Sequence, residues 1–69
     1  MYNKMLKGRI VQKYGSLKNF IDPIGLSYPT LLAKLSRSTE WTAAEIEKCC
    51  RLLEIEPKEI PLYFFIQEV

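Results

Sequence analysis

The run SLKNFIDPIGLSYPTLLAKL at residues 16–35 constrains the fold more than any other feature of this 69-residue chain. Its apolar side chains are spaced as the facing sides of two short helices: Leu17, Phe20, Ile24, Leu26 and Leu31. Gly25 lies between the helices, where glycine takes positive φ without steric cost, and Ser27 follows in position to cap the second helix. The pattern predicts a helix-turn-helix unit over about residues 16–36. The alternative is an ordinary corner between two helices of a small bundle.

The whole chain predicts about five short helices. The first covers roughly Asn3 to Tyr14 and ends at Gly15, a residue that stops helices in the left-handed conformation. The second is capped by Ser16 and runs to about residue 22 or 24. We expect Pro23 to shorten or distort this helix, because proline removes a backbone hydrogen bond and disfavours helical geometry in the residue before it.

The third predicted helix runs from Tyr28 to about residue 35 or 36, with Pro29 in its first turn, where the missing N–H costs little. The fourth begins at the capping-box pattern Thr42-Ala43-Ala44-Glu45 and ends near Leu53. At most one further turn follows, at residues 58–60, and the apolar tail, residues 61–69, is expected to be an extra strand or a short packing segment. The fold class predicted is all-α, a compact bundle of about five helices, with or without a short extended tail.

Composition and length limit the function. The 69 residues are expected to form one small domain, residues 1–69, of marginal stability. There is no histidine, and the two cysteines, Cys49 and Cys50, are adjacent, so we expect small apolar helix residues and neither a metal site nor a cofactor. No phosphate loop or nucleophile with a histidine base occurs, which argues against an enzyme or a small-molecule substrate. The absence of a long apolar run and of a signal segment predicts no membrane association and a cytoplasmic location.

Charge is divided between the two halves of the chain. Residues 1–38 carry seven lysines and arginines against one acid, a net charge of +6, whereas residues 39–69 carry three against seven acids, a net charge of −4. A basic half that contains the helix-turn-helix suits a polyphosphate, because bound cations release the counterions condensed on DNA. The charge pattern therefore favours double-stranded DNA as the partner. The alternative is that these charges only solvate helix faces.

Four stretches carry a resemblance to a known family: KGRIVQKYGS before the unit, GLS at its turn, KLS at the end of the third helix and EIPLYFF near the C-terminus. From about Leu6 to Phe65 the chain resembles the Cro/repressor-type helix-turn-helix family, most closely its small phage-borne members. The resemblance implies a third helix that enters the major groove and a dimer that contacts two half-sites about 34 Å apart. It implies a transcriptional regulator of a phage or mobile element that binds a specific DNA operator and is nucleoid-associated when bound.

The resemblance also implies which side chains meet DNA. The ten candidates are Ser16, Lys18, Ser27, Tyr28, Pro29, Thr30, Ala33, Lys34, Arg37 and Ser38. Ser16 and Lys18 are expected to hold a phosphate at the start of the second helix. Tyr28, Pro29 and Ala33 are expected nearest the bases, and the candidates at residues 30, 34, 37 and 38 at phosphates or groove edges.

The predicted base-contacting side chains depart from the family pattern. Family members usually carry Gln, Arg, Ser or Asn where this chain has Tyr28, Pro29 and Ala33, and these three residues cannot form the bidentate hydrogen bonds that identify guanine or adenine. We therefore expect modest sequence discrimination. The apolar face motivates a second hypothesis: an anti-repressor or modulator that binds a partner repressor protein. A third and weaker hypothesis is the antitoxin of a toxin–antitoxin pair.

The apolar tail is a candidate contact surface for a partner or for a second copy of the chain. On the second hypothesis the partner surface comprises Tyr28, Leu32, Ala33, Leu62, Phe64 and Phe65. A homodimer is also expected, because a 69-residue domain gains from burying apolar surface against a copy of itself. Its candidate interface is Leu62, Tyr63, Phe64, Phe65 and Ile66. The alternative is that Phe64 and Phe65 close the core of their own domain.

Overall fold

The backbone forms five α-helices in a computed structural model that describes residues 3–36 and 38–65. They are α1 (Lys4–Tyr14), α2 (Leu17–Ile24), α3 (Tyr28–Leu35), α4 (Ala43–Leu53) and α5 (Ile60–Phe64), with a single 3-10 turn at Pro57–Glu59 before α5. No strand occurs within the described residues. The predicted all-α class is confirmed. Arg37 and Ile66, two predicted site residues, lie outside the described residues.

The three caps predicted at Ser16, Ser27 and Thr42 form, and Asn3 supplies a fourth cap that the sequence did not predict. Asn3, Ser16, Ser27 and Thr42 each accept a hydrogen bond from a backbone N–H in the first turn of α1, α2, α3 and α4 respectively. At α4 the capping box is complete, because Glu45 in turn accepts from the Thr42 N–H at 2.9 Å. These local interactions satisfy backbone groups that have no partner inside the helix, so they fix where each helix begins.

We expected Pro23 to shorten α2 or to distort its end, but the helix is not shortened. Helix α2 continues through Pro23 to Ile24 and ends at Gly25, whose N–H donates to the Ile21 carbonyl at 2.8 Å. Ile24 is 4% exposed and belongs to the core. Proline lacks only its own N–H, so one internal hydrogen bond is lost, and burial of Ile24 stabilises the last turn.

The sequence predicts that the tail is an extra strand or a short packing segment at residues 61–69; residues 61–64 form no strand and belong to α5, which packs on the core through Phe64. Its buried residue is Phe64, 8% exposed, whose ring meets Trp41 edge-on with ring centroids 5.7 Å apart. Proline at the start of α5 is compatible with a helix because the first N–H groups have no helical partner. Phe64 in the core, with the partly buried Ile60 and Tyr63 beside it, packs this short helix on the bundle.

The core is a single cluster to which all five helices contribute. Its buried members are Leu6, Ile10, Leu17, Phe20, Ile24, Leu31, Leu35, Cys49, Leu53, Ile55 and Phe64. Helix α1 packs against each of the other four helices. Within the described part of the chain, no helix is both long enough and apolar enough to span a bilayer.

Asn3 joins three helices at one end of the bundle. Its side-chain oxygen caps α1 at the Leu6 N–H, its backbone N–H donates to the Leu35 carbonyl at 2.7 Å, and its side-chain NH₂ donates to the Tyr63 carbonyl. The residue is 3% exposed. A buried polar side chain with its groups paired in this way ties the ends of α1, α3 and α5 together.

Candidate functional site

Helices α2 and α3 are joined by the tight turn that the sequence predicted at Gly25. Gly25 has φ 80° and ψ 28°, the left-handed conformation that lets the chain turn sharply between the two helices. Ser27 then caps α3, accepting from the Thr30 N–H at 3.3 Å. Leu31 and Leu35 are fully buried, so this side of α3 faces the core. The opposite side of α3 remains accessible.

The accessible side of α3 carries no charge on its own residues. It consists of Tyr28, Pro29, Leu32 and Ala33, which we call the helix-3 face. Pro29 is exposed, and the other three are half-buried. Tyr28 and Leu32 pack against the core with part of their surface. Such a face offers apolar contact and one phenol hydroxyl, and it lacks the amide and guanidinium groups that distinguish bases.

Lys34 does not lie at the edge of this face as predicted, because its side chain is folded inward. The residue is 8% exposed. Its Nζ lies 2.9 Å from the Glu45 carboxylate and donates to the Glu40 carbonyl at 2.9 Å, and it stands 5.7 Å from the centre of the Trp41 ring. In this conformation the cation pairs with the start of α4 and not with a phosphate.

The Lys34–Glu45 pair also sets the ionisation of the carboxylate. Burial raises the pKa of Glu45, but the hydrogen bonds from Lys34 and from the Thr42 cap and the charge of Lys34 together outweigh it, and the net pKa is lowered from 4.5. Glu45 is therefore ionised at neutral pH, and the pair is a charged one.

Two further cations of the basic half bind the other end of α4. Arg9 Nε donates to the Leu53 carbonyl at 3.0 Å and its guanidinium also reaches the Glu54 carbonyl at 3.3 Å. Lys13 forms a 2.7 Å ion pair with the Glu54 side chain. Cations are favourable at the C-terminus of a helix, where carbonyls carry partial negative charge. These side chains stabilise the bundle.

Two lysines remain near the start of α3. Lys18 is exposed, and its Nζ lies 5.7 Å from the centre of the Tyr28 ring. Lys48, on α4, reaches the turn: its Nζ is 3.4 Å from the position that a Cβ on Gly25 would occupy. The sequence does not reveal this approach, because it depends on how α4 crosses α2.

The hydroxyls predicted to meet phosphates form internal hydrogen bonds. Ser16 accepts from the Asn19 N–H at 3.2 Å, and Ser27 donates to the Thr30 hydroxyl at 2.8 Å. The Ser38 and Ser36 hydroxyls are 3.1 Å apart. The structure thus places the hydroxyls of Ser16, Ser27, Thr30 and Ser38 in caps and turns. Of the predicted DNA-binding residues, it brings Lys18 close to Tyr28.

The predicted interface residues of the tail divide into two groups. Phe64 is buried in the core, which supports the alternative that it closes its own domain, and Tyr63 is half-buried. Leu62 and Phe65 are 53% and 55% exposed and lie three residues apart. Met5, on α1, is another large apolar side chain at the surface, 45% exposed, which the sequence did not single out.

The cysteines are free and unsuited to nucleophilic chemistry. Burial raises the pKa of Cys49 to about 12, with a smaller contribution from the neighbouring Cys50, and burial raises the pKa of Cys50 as well. Both therefore remain thiols at neutral pH, and thiols are poor nucleophiles and poor metal ligands. Among the described residues, no three side chains of the types that bind metals lie together.

Comparison with known proteins identifies a phage protein of similar sequence and structure. A family model described as a protein of unknown function, DUF739, matches residues 1–67. The solution structure of the modulator of repression (MOR) of the temperate bacteriophage TP901-1 from Lactococcus lactis matches with 40% sequence identity and a TM-score of 0.79. The match covers 91% of this chain and 85% of that one. No curated protein matches the sequence significantly.

Proposed function

This chain belongs to the DUF739 family, and we propose that it is a phage modulator of repression that acts by binding a repressor protein. The proposal corresponds to the second hypothesis from the sequence. It is supported by the 40% sequence identity to a phage protein named modulator of repression. Its site of action is then the cytoplasm of the bacterium that carries the phage.

The uncharged helix-3 face is the observation that carries this proposal. A DNA-binding surface needs cations next to the groove, whereas here Lys34 pairs with Glu45 and leaves Tyr28, Leu32 and Ala33 without a charged neighbour on the same helix. Partly exposed apolar side chains on one helix are typical of a surface that contacts another protein, because the contact removes them from water. We therefore assign the helix-3 face to the contact with the repressor.

The test is binding to the repressor encoded by the same phage. The purified chain is titrated into the full-length repressor by isothermal titration calorimetry, and into the repressor–operator complex by gel shift. We expect a saturable complex with the repressor and a change in its operator binding, with no shift of operator by this chain alone. Leu32→Asp on the helix-3 face should abolish the complex, and Val11→Asp, at an exposed aliphatic residue of α1, should not.

Direct DNA binding is the second candidate, because the helix-turn-helix geometry and an exposed Lys18 are both present. It predicts that affinity for duplex DNA falls with salt, with a slope of about −0.9 in log K against log salt for each phosphate neutralised. Binding of operator by this chain alone, with such a slope and with no complex with the repressor, would establish this candidate and exclude the first.

A further inference from the structure

We infer that the partner segment that docks on the helix-3 face carries a carboxylate at the end where Lys18 and Lys48 lie. The inference rests on the proposed function and adds the chemistry of the partner surface. The starting observation is that two cations from different helices lie at one end of an otherwise uncharged face: Lys18 from α2 and Lys48 from α4.

Both ammonium groups are near the same short stretch of chain. Lys18 stands 5.7 Å from the Tyr28 ring, and Lys48 approaches Gly25, three residues before that tyrosine. Three other cations of the basic half, Arg9, Lys13 and Lys34, bind the ends of α4. Neither Lys18 nor Lys48 has a carboxylate within 4.0 Å among the described residues.

Charge complementarity therefore selects the partner. An apolar patch with cations at one end is matched by an apolar segment with an acidic side chain at the corresponding end. A phosphate would satisfy the lysines equally well, but duplex DNA offers no apolar surface of the extent of Tyr28, Leu32 and Ala33 beyond the thymine methyl groups. The combination of the two features favours a carboxylate on a protein.

The experiment compares three single charge reversals, each of which changes net charge equally: Lys18→Glu, Lys48→Glu and the control Lys58→Glu. Lys58 is an exposed lysine on the 3-10 turn whose side chain is 82% exposed. Binding to the full-length repressor of the same phage is measured by biolayer interferometry. We expect the first two variants to weaken Kd about five- to tenfold, mainly through slower association, and the control to change it less than about twofold.

Further measurements test whether a change in repressor binding is caused by charge and not by a folding defect. The difference between variants and wild type should shrink at about 1 M salt, where the Debye length is only about 3 Å. A random 30-base-pair duplex is titrated in parallel as the competing class of ligand. Far-UV circular dichroism and the urea midpoint verify that each variant is folded. Lys48→Met keeps the aliphatic part of the side chain and removes its charge, so it should also weaken binding to the repressor, as Lys48→Glu does.

The possible failures are distinguishable. If the wild type does not bind the repressor, the proposed function and this inference both fail. If it binds and neither reversal matters, or if Lys58→Glu weakens binding as much, the proposed function stands and the carboxylate assignment is wrong. If Lys18→Glu and Lys48→Glu weaken binding to the duplex and leave binding to the repressor unchanged, the two lysines bind phosphates and the inference is wrong.

Discussion

Lys34 belongs to α3, but its ammonium group binds the segment that follows. Its partners are the Glu45 carboxylate, the Glu40 carbonyl and the face of Trp41. A buried charge is costly unless it is paired and hydrogen-bonded, so removal of one partner costs more than the pair itself contributes. The interaction fastens α3 to the start of α4, and it also withdraws a cation from the surface next to the helix-3 face.

The Glu45 carboxylate predicts how stability depends on pH. Its pKa in the folded protein is lowered below 4.5, so its contribution to the free energy of unfolding is present at neutral pH and is lost as the pH falls through the folded-state pKa. Glu45→Gln should lower the urea midpoint at about pH 7 and lower it less at about pH 3, because protonation of Glu45 in the wild type weakens the charged pair as the pH falls toward the folded-state pKa. Urea unfolding at the two pH values measures both changes.

The control for this prediction is Glu47→Gln, an exposed carboxylate on the same helix. It removes the same charge from α4 without touching Lys34 or the Thr42 cap. Glutamine at position 45 can still accept from the Thr42 N–H, so the capping box itself is preserved. An equal loss of stability at both pH values for Glu45→Gln would contradict the role of the ion pair.

Asn3 predicts a large effect of a single buried amide. Asn3→Ala removes the α1 cap and leaves the Tyr63 carbonyl without its donor in a buried place, for a loss of about 2–3 kcal/mol in the free energy of unfolding. The matched control is Asn19→Ala. Asn19 is exposed, and its side chain donates to the Tyr14 carbonyl at 2.8 Å. Chemical denaturation should show a loss of at most about 0.5 kcal/mol for the control; similar values for the two variants would exclude the joining role of Asn3.

At the scale of the helices, α4 is held at both ends by side chains from the basic half. Lys34 binds Glu45 in its first turn, and Arg9 and Lys13 bind the carbonyls and the side chain at its C-terminus. The C-terminal residue Glu54 has φ 57°, a left-handed conformation that is unfavourable for a residue other than glycine. The contacts from α1 stabilise this conformation.

Alanine substitutions at two glycines should change the free energy of unfolding in opposite directions. Gly8 lies within α1, where a Cβ would meet nothing within 4 Å, so Gly8→Ala should stabilise the protein by about 0.5–1 kcal/mol. Gly25 has φ +80°, and Gly25→Ala should destabilise it by about 1 kcal/mol or more. Thermal melts of the two variants and wild type measure both. A stabilising Gly25→Ala would show that the left-handed turn between α2 and α3 is not required.

The helix boundaries were predictable because caps are local. Ser16, Ser27 and the Thr42–Glu45 box act on N–H groups two or three residues away, and Gly25 sets its own backbone conformation. Sequence spacing therefore contained nearly all the information. The same holds for the inward side of α3, since helical periodicity separates Leu31 and Leu35 from Pro29 and Ala33.

The parts that sequence missed depend on contacts between distant residues. The side chain of Lys34 folds inward only because Glu45 lies opposite it. The hydrogen bond from the Asn3 side chain requires the Tyr63 carbonyl, sixty positions away in the chain. Helix α5 is too short to show a helical period, and it is stabilised by Phe64 against Trp41. Periodicity and capping carry no information on such pairs, which exist only after the bundle has packed.

For the molecule as a whole, the division of charge along the chain serves in part to hold the fold together. Three cations of the basic half, at positions 9, 13 and 34, bind α4, which belongs to the acidic half. The net charge of +6 in residues 1–38 therefore overstates the cationic surface near α3. The net charge of the basic half is therefore weaker support for DNA binding than the sequence suggested, and it is compatible with a modulator that contacts a protein.

Self-association remains a prediction, and two exposed apolar residues in and directly after α5 are its candidate contact. Leu62 and Phe65 are each more than half exposed, while Phe64 lies in the core, so the contact should involve the first two and not the third. We expect the wild-type mass from light scattering to rise with concentration up to about 100 μM, because association stabilises by mass action. Leu62→Asp and Phe65→Asp should keep the chain monomeric, because each places a charge in the apolar contact. Val11→Asp, on α1, should leave the mass unchanged. A wild type that stays monomeric over the whole range would exclude a dimer through α5, and the repressor would then be the expected occupant of this exposed pair.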